Sequence, residues 1–545
     1  MRRWRWEQFR LRLVPERHRL TSTERGSGVT LASRDVVEEG CQQGISVLVS
    51  APGSGEAAPC RTTFHESRYR PCHSRDVLTR GMRLEILATR KAEFGPGGAA
   101  KRVRDVSEWA AEVDWMNRAH RYQGEASLSD ASDAYGPMSD DRAAGGAPPT
   151  VRFVNTYRPV VPLYETVAAA AESYGWRVVA CMSRGIYRPI DDAGFANDPA
   201  IGTQSIWVPD LLRKSGVASN LFFSILAPFA LAGGPQSDLN IFLTHPPLFY
   251  VLGGAVSRRR GVPYFIHLMD LYPEILQQAG WLSATSPLYR RLSALSLRAL
   301  ERAAGIIVIG RCMEERLIAN GIDPAKIHYM PNSFSTQIRT VEHSQNRFRQ
   351  RFGLQDKFVV MYSGNMGLLH ELKTLLAVAD SLADHDRIRF VFVGSGRRRG
   401  AVQAAIDRGA RNISLIEYQA DGDDLAHSLS AADVHFVSLR AGCEGLVVPS
   451  KFYGAIAAGR PVIYEGGARG EVARVIRATG CGTVVELGDA VGLRSAISSF
   501  YTDHDRCLRI GAIALDVHRT QYQSSALATA YCRAIARSLV AGTAQ

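Results

Sequence analysis

Short apolar runs alternate with helical stretches along most of this chain, and this alternation limits the folds that it can adopt. From about residue 150 to about residue 525, the runs end in turns rich in Gly, Ser, Asp or Pro. Runs of this kind are typical of strands buried on both faces of a parallel sheet. The pattern therefore predicts an α/β fold whose strands are VRFVNTY, WRVVACM, LNIFLTHPP, VPYFIHLM, GIIVIG, IHYMPN, FVVMYSG, RFVFVGSG, NISLIEY, DVHFVSL, PVIYEG and CGTVVEL.

A break in this alternation predicts two Rossmann-like domains. Residues 333–356 are polar and lack an apolar period, so we interpret them as a linker between a first domain, 150–335, and a second, 336–525. Residues 526–545 are predicted to form a C-terminal helix or tail. Residues 1–149 are rich in Arg, Ser, Gly and acidic side chains, which predicts an N-terminal extension with little stable structure.

The composition narrows the class of partner. The chain has 545 residues, of which 46% are hydrophobic, so it can bury more than one core. Its net charge of +12 favours an acidic partner, which is a phosphorylated substrate, an anionic membrane surface or nucleic acid. Nucleic acid is the least favoured of the three, because the arginines are dispersed and the sequence has neither zinc-finger spacing nor an aromatic RNP-like strand.

The cysteines and the apolar stretches indicate a compartment. The nine cysteines are widely spaced without a CxxC pair, which favours a reducing cytosol and argues against a zinc cluster. The first residues lack the apolar core and cleavage site of a signal peptide. The longest apolar stretch, 221–232, is interrupted by Pro228 and is too short to span a bilayer. It predicts either a buried helix or a segment lying in the membrane interface.

The stretch 441–461 contains a glycine-marked loop, a predicted helix start and a basic residue. Ser450 is a suitable N-cap, and Lys451 then lies in the first helical turn. Acidic side chains normally suit a helix N-terminus, so a lysine there is better explained by a phosphate bound at the same place. The alternative is an ordinary surface lysine.

A second glycine-marked turn follows the strand FVVMYSG. Gly364 and Gly367 bracket Asn365 ahead of a predicted helix, so backbone N–H groups of the turn can approach phosphate oxygens. His370 is a candidate donor to that phosphate, the alternative being a capping or solvated histidine. Arg397 to Arg399 are interpreted as a solvated face. Weaker candidates at neighbouring strand ends are Gly394, Gly396 and Tyr418.

Carboxylates at strand ends are the candidate acids and bases. Asp270 and Glu274 follow a strand of the first domain, where they can bind sugar hydroxyls or accept a proton from an acceptor hydroxyl. An acidic helix start with Pro273 in its first turn explains the same pattern. Glu444 and Glu471 are the corresponding acids of the second domain, and a plain loop or first-turn carboxylate is the alternative for each.

Together these segments resemble the family 4 retaining glycosyltransferases of the GT-B fold, in particular bacterial enzymes that build surface polysaccharide on a lipid carrier. The resemblance covers residues from about 150 to 525. It implies two facing Rossmann-like domains, an acceptor in the first, a nucleotide-diphospho-sugar in the second, and transfer with retention of the anomeric configuration. It rests on HPP at 245–247, DLYPE at 270–274, MPN at 330–332, YSGNMGLLH at 362–370 and VPSKFYGAIAAGRPV at 448–462.

The resemblance also implies roles for residues that depart from the family pattern. Asn365 and His370 stand where the family has the Arg and Lys that contact the donor diphosphate. Gly454 replaces the glutamate that holds the nucleotide ribose, and Lys451 is implied as a substitute phosphate contact. Glu471 is implied as the substitute carboxylate for the ribose or base.

The implied mechanism uses neither a metal nor a cofactor, since the nucleotide sugar is a substrate. Lys451, the helix start and the Gly364 to Gly367 loop would stabilise the leaving diphosphate. Asp270 would orient the acceptor or the sugar. Glu444 is the cleft-side acid of the second domain, although it lies two positions before the first glutamate of the family motif.

The predicted partners are a nucleotide sugar, a lipid-linked saccharide acceptor and an anionic membrane surface. Basic clusters at 213–214, 258–260 and 290–291, with the apolar stretch 221–232, predict a cytoplasmic protein held peripherally at the inner face of the plasma membrane. A buried helix with scattered surface charge is the alternative. Two other functions stay open, a nucleotide-sugar epimerase of the same architecture and a catalytically silent partner subunit.

Met138 lies just ahead of the first predicted strand, within a polar segment rich in Gly and Pro. We therefore predict that the natively expressed protein begins at Met138. An intact-mass measurement checks this start, and a mass that includes earlier residues contradicts it.

Overall fold

The computed structural model divides into two compact units, Met1–Gly136 and Pro137–Gln545. The structure describes residues 10–15, 29–30, 82–87, 148–155, 174–183, 201–208, 216–334, 338–417 and 422–542.

The first unit contains an antiparallel sheet in the order β2-β1-β3. Its strands are β1 (Arg10–Pro15), β2 (Val29–Thr30) and β3 (Met82–Leu87). The sequence analysis did not predict these strands, and the other residues of 1–147 lie outside the described residues. RLRLV and MRLEIL alternate apolar and polar residues, which is the period of a strand, but each run is short and isolated in a polar background.

The second unit contains two parallel sheets, which confirms the predicted α/β class. The first sheet has seven strands in the order β10-β9-β8-β7-β4-β5-β6, and the second has six in the order β13-β12-β11-β14-β15-β16. Both orders reverse once, between β4 and β7 and between β11 and β14. Ligands of open parallel sheets bind beyond the carboxyl ends of the strands at such a reversal.

The strands of these sheets are short and largely buried. Those of the first sheet are β4 (Thr150–Val154), β5 (Arg177–Ser183), β6 (Ile201–Ile206), β7 (Leu239–Leu243), β8 (Tyr264–Leu268), β9 (Gly305–Val308) and β10 (Ile327–Tyr329). Those of the second sheet are β11 (Phe358–Ser363), β12 (Ile388–Val393), β13 (Ile413–Ile416), β14 (Val434–Ser438), β15 (Val462–Glu465) and β16 (Gly482–Val485).

Helices connect the strands, as parallel pairing requires. In the first half they are Gly216–Gly233, Phe249–Arg259, Glu274–Gln278, Pro287–Glu301 and Arg311–Ala319. In the second half they are Arg347–Arg351, Lys373–Ser381, Arg399–Asp407, Gly422–Ser430, Lys451–Ala457, Glu471–Thr479, Ala490–Thr502, His504–Gln521 and Ser524–Gly542. Short 3-10 turns occupy Pro324–Lys326 and His343–Gln345. The predicted helix at 163–174 lies almost wholly outside the described residues.

The predicted linker at 333–356 is in large part packed structure, so this interpretation was wrong. Val341 and Phe348 are buried, and the Arg349 guanidinium is enclosed, where it donates to Ala431 O at 2.7 Å and to Asp433 at 3.2 Å. Because the fixed charge of Arg349 is paired inside the second domain, a polar sequence here does not mean exposure. Strand β6, IGTQSI, was missed for a related reason, since an edge strand does not need a continuous apolar run.

The last helix, Ser524–Gly542, returns to the first sheet. The ring of Tyr531 stacks on that of Phe153 at 6.2 Å between centroids, and its hydroxyl lies 3.3 Å from His267 Nδ1. Ala528, Cys532 and Ile535 are buried in the same cluster as the strands of the first sheet. The chain therefore crosses between the two sheets twice, and its C-terminus belongs to the core of the first domain.

The helix Gly216–Gly233 reconciles the two interpretations of the apolar stretch 221–232. Phe223, Ala227 and Leu231, spaced four residues apart, are buried in the core. Leu221, Ile225 and Phe229 have the same spacing on another face and are 63%, 53% and 72% exposed. In the part of the chain that the structure describes, neither this helix nor any other has the length and hydrophobicity needed to cross a bilayer.

Candidate active site

Main-chain pairing between the two domains brings the predicted acids together. Asp270, just beyond β8, forms an antiparallel bridge with Val447, and Leu271 N donates to Leu446 O at 2.9 Å. Glu444 forms a second bridge with the same Val447. Asp270 of the first domain and Glu444 of the second therefore lie on either side of one interdomain crossing.

The two carboxyl groups have different surroundings. Burial raises the pKa of Asp270 to about 6, and within the described ranges no hydrogen bond or ion pair engages its side chain. Glu444 lies against the turn after β15, where a Cβ at Gly467 would collide with its Oε1. A desolvated carboxyl group without a partner is suited to accept a hydrogen bond from a ligand hydroxyl.

The two predicted glycine turns, at Gly364 and at Gly394 to Gly396, pack against each other. Gly364 and Gly394 have φ values of +122° and +127°, a region that L side chains rarely adopt. A Cβ at Gly394 would collide with Gly364 O, and one at Gly396 would lie 2.5 Å from Asn365 Oδ1. The loops after β11 and β12 therefore stack directly on each other at the carboxyl edge of the second sheet.

Only part of the turn is available to a ligand. Gly364 N donates to Val393 O at 2.8 Å and Met366 N to Ser395 O at 2.7 Å, so these N–H groups are used within the fold. The N–H groups of Asn365 and Gly367 have no acceptor among the residues that the structure describes. They are the remaining backbone donors of the predicted phosphate loop.

Lys451 lies beside this turn, in a setting unlike that of a surface lysine. Its Nζ is 2.9 Å from His370 Nε2 and 5.1 Å from the centroid of the Tyr362 ring. Its methylene groups cover Gly364, where a Cβ would lie 3.3 Å from them. Burial lowers the pKa of Lys451 to about 7, and no carboxylate of the described chain pairs with it. This arrangement is a desolvated cation without an anion.

His370 connects Lys451 to the second sheet. Its Nδ1 lies 2.8 Å from Ser438 O at the end of β14. Since a carbonyl oxygen only accepts, Nδ1 carries the proton and Nε2 accepts from Lys451. Burial first, and the charge of Lys451 second, lower the pKa of His370 to about 3. The predicted role of His370 as a direct phosphate donor is therefore not the one that this geometry favours.

The helix Lys451–Ala457 begins where predicted, with Ser450 at the N-cap position. Ser450 has helical torsions, φ −62° and ψ −21°, and its side chain makes no capping hydrogen bond. The side chain of Ser450 therefore leaves the first N–H groups of the helix uncapped. The helix has seven residues, and a short helix aligns few peptide dipoles. Lys451 therefore supplies most of the attraction for an anion at the start of this helix.

Two arginines near the turn escaped the sequence analysis. Arg398 donates from Nη2 to Leu368 O at 3.2 Å and pairs with Glu371 at 3.5 Å. Arg440 donates from Nη1 to the same carbonyl at 3.4 Å. Arg398 was assigned to a solvated face, yet its side chain is 21% exposed. Its position two residues after the Gly-Ser-Gly turn was the available signal.

Gly454, where the resemblance implies a ribose-binding glutamate, has apolar surroundings. A Cβ at Gly454 would lie 3.1 Å from Cζ of Phe334 and 3.5 Å from Leu429. The ring of Phe334, a residue of the segment that joins the two domains, therefore occupies the space into which a longer side chain at position 454 would extend. Tyr418, the remaining predicted donor residue, lies outside the described residues.

The carboxylate of Glu471, predicted as a contact for the ribose or base, is hydrogen-bonded within the fold. Its Oε1 accepts from Arg311 Nε at 3.0 Å, Arg311 Nη2 at 2.7 Å and the Tyr329 hydroxyl at 2.9 Å. Its Oε2 accepts from Arg311 N at 2.7 Å, and the residue is 2% exposed. Burial opposes the charge of Arg311, but the Glu471 carboxylate raises the pKa of Arg311 above its ordinary value. The acceptor positions of Glu471 are therefore filled by the first domain.

Each half of the chain matches a family model of known proteins. Residues 161–333 match a family model described as a glycosyl transferase 4-like domain, and residues 357–503 match one described as glycosyl transferases group 1. WbjE of Pseudomonas aeruginosa, named as a glycosyltransferase, is 29% identical over 272 residues, which cover 48% of this chain and 66% of WbjE.

Two further proteins are similar. WcaI of Escherichia coli K12, whose name assigns it to colanic acid biosynthesis, is 28% identical over 173 residues, 31% of this chain and 42% of WcaI. The matches thus span less than two thirds of these relatives. HepE of Anabaena, in its complex with UDP-glucose, superposes with a TM-score of 0.55 at 16% identity, covering 71% of this chain and 99% of HepE.

We predict that Glu471→Gln lowers the unfolding free energy by about 3 kcal/mol, because it leaves the partly buried Arg311 guanidinium, whose side chain is 26% exposed, without its anion. Thermal unfolding measures the change. Glu315→Gln is the matched control, since Glu315 also pairs with a second-domain arginine, Arg474, but is 50% exposed. That control is expected to cost less than about 1 kcal/mol. Equal effects of the two substitutions would contradict the assignment of Glu471 as the buried interdomain contact.

Proposed function

Because both halves of the chain match glycosyltransferase family models, we propose that it transfers a sugar from a nucleotide-diphospho-sugar to a lipid-linked saccharide, with retention of the anomeric configuration. The matched relatives are named for glycosyl transfer, and one of them for polysaccharide biosynthesis. The single observation that carries the proposal is the unpaired Lys451 ammonium at the reversal point of the second sheet.

The donor diphosphate would bind at the stacked glycine turns. Lys451 would pair with it, and the N–H groups of Asn365 and Gly367 would donate to its oxygens. Arg398 adds positive charge at the same turn. As the bond between the anomeric carbon and the diphosphate oxygen breaks, negative charge grows on the leaving group, and fixed donors stabilise it without reorganising.

The acceptor would approach from the first domain. Asp270, with its desolvated and unpaired carboxyl, would orient the acceptor hydroxyl across the interdomain crossing. In front-face retention the acceptor oxygen bonds to the anomeric carbon on the face that the diphosphate leaves, and the leaving phosphate oxygen takes the acceptor proton. Positioning of the two substrates then supplies much of the rate enhancement. The proposal requires no metal or cofactor.

We predict that Lys451→Met lowers transfer by at least about 100-fold, the loss typical of removing one preorganised group that stabilises developing charge. Because the substitution also removes a desolvated charge, it should raise the unfolding free energy by about 0.5–2 kcal/mol. The exposed Lys373 gives the control variant Lys373→Met. Unchanged turnover of Lys451→Met at saturating donor would remove this residue from the mechanism.

The measurement is a panel assay with nucleotide sugars and polyprenyl-diphosphate-linked saccharides. Glycosylated lipid supports the proposal, and NMR of the product linkage tests retention. An isomerised nucleotide sugar would instead indicate an epimerase, and no reaction with any pair would indicate a catalytically silent partner subunit.

A lipid-linked acceptor requires that the first domain meet a membrane, and we propose one face of it for this contact. The helices Gly216–Gly233, Phe249–Arg259 and Pro287–Glu301 pack side by side on the first sheet. They expose Leu221, Ile225, Phe229, Leu252 and Leu288 beside the exposed arginines Arg258, Arg259, Arg290 and Arg291. Apolar side chains flanked by cations suit insertion among anionic headgroups, which supports the proposal that the protein binds peripherally at the inner face of the plasma membrane.

We predict that the double variant Ile225→Glu, Phe229→Glu weakens binding to vesicles of phosphatidylglycerol and phosphatidylethanolamine by about tenfold or more, since it charges two side chains that would be buried in lipid. Cosedimentation at low salt measures the binding. Val491→Glu is the control, because Val491 is 82% exposed on the second domain. Failure of the unaltered protein to bind these vesicles, or equal binding by the double variant, would refute the membrane face.

A further inference from the structure

The hydrogen bonds of His370 leave it one tautomer. Ser438 O, at 2.8 Å from Nδ1, requires the proton on Nδ1, and Lys451 Nζ, at 2.9 Å, donates to the lone pair of Nε2. Free imidazole side chains in water favour the opposite tautomer, with the proton on Nε2. The main-chain carbonyl at the end of β14 therefore sets which atom of the ring faces Lys451.

The surroundings of the pair keep His370 neutral. The titratable and charged groups that face it are Tyr362 from β11, Arg398 from the loop after β12, and Lys451 itself. Two of these three are cations, so a second proton on the ring would place positive charges in contact within a desolvated site. A neutral ring with a fixed lone pair is the form in which His370 can accept from an ammonium.

We propose that His370 is a positioning residue, which as the Nδ1–H tautomer holds the Lys451 ammonium against the Gly364 turn for the donor diphosphate. This inference rests on the proposed function, in which Lys451 contacts that diphosphate. The Gly364 turn contacts the aliphatic part of Lys451, and the His370 imidazole contacts its ammonium, so the side chain is held at both ends.

The position of Lys451 thereby depends on β14 as well as on its own helix. Ser438 also accepts at its Oγ from Glu371 N, at 3.1 Å, which fixes the segment that carries His370. Gly364, which follows β11, and His370, which is hydrogen-bonded to the end of β14, thus both fix the position of the ammonium. The order of the second sheet reverses between these two strands. An acceptor at this point fixes a flexible four-carbon side chain that has no carboxylate to hold it.

The test begins with the ligand-free full chain, so that it does not depend on the identity of the donor. Nitrogen-15 NMR of labelled imidazoles, with His370→Gln to identify one signal among the 14 histidines, reports the tautomer directly. The expected result is an Nδ1–H ring that stays neutral down to pH 5, because the pKa of His370 is about 3. An Nε2–H ring, or titration near pH 6.5, overturns the proposal.

A variant of the lysine tests the pairing itself. In Lys451→Met the Nε2 resonance of His370 should shift, since that nitrogen loses its hydrogen-bond donor, whereas Lys373→Met should leave it unchanged. An unshifted resonance in Lys451→Met overturns the contact between the two side chains. These spectra are independent of transfer, so a protein that shows them but transfers no sugar fails only the proposed function.

Kinetics separate a positioning role from a structural one. His370→Leu removes the acceptor and should lower kcat/KM for the donor by about 10- to 100-fold, whereas His370→Gln, which keeps an acceptor oxygen, should stay within about threefold. Lys451 acts as an ammonium with a pKa of about 7, so kcat/KM falls as the pH rises through about 7. Without the acceptor the ammonium is less favoured, and in His370→Leu this fall should begin at lower pH. Equal losses in both variants with an unmoved pH profile contradict the proposal.

Discussion

The carboxylate of Glu471 fixes the relation between the two sheets. It accepts from the side chain and main chain of Arg311 and from the hydroxyl of Tyr329, all in the first domain, and it is almost fully buried. Two charges removed from water are tolerated only when their hydrogen bonds are complete, so small rotations of one domain against the other carry a high cost. The bridge from Asp270 to Val447, which brings the main chains of Asp270 and Glu444 to the same residue, requires this alignment.

The fold was largely predictable because parallel strands buried on both faces carry their signal in a few consecutive residues. All twelve predicted strands of the two sheets are present, while β6 was missed because its side of the sheet is an edge. The helix Gly216–Gly233 was ambiguous for a physical reason. Its buried and exposed faces are both apolar, so a linear pattern cannot separate packing from an outward-facing surface.

The loops that form the site were predictable from the sequence, but the roles of the individual residues were less so. The importance of Lys451 followed from a base at a helix start, and the glycine turns followed from their strand-end positions. The role of His370 did not, because its tautomer is set by Ser438, 68 positions away. The surroundings of Glu471 and Arg398 were not predicted for the same reason, since the position of a charged residue in the sequence does not reveal the partner that the other domain or the next turn supplies.

The desolvated ammonium of Lys451 also affects the stability of the protein, and through it the amount of protein in a cell. At pH values where Lys451 is protonated, below its pKa of about 7, the ligand-free chain holds a desolvated positive charge, and an incoming anion recovers the stability that this charge costs. Any ligand that binds the folded state alone shifts the unfolding equilibrium in proportion to its concentration. The steady-state amount of this protein would then follow the supply of its anionic ligand through proteolysis of the unfolded fraction, without a dedicated regulatory site.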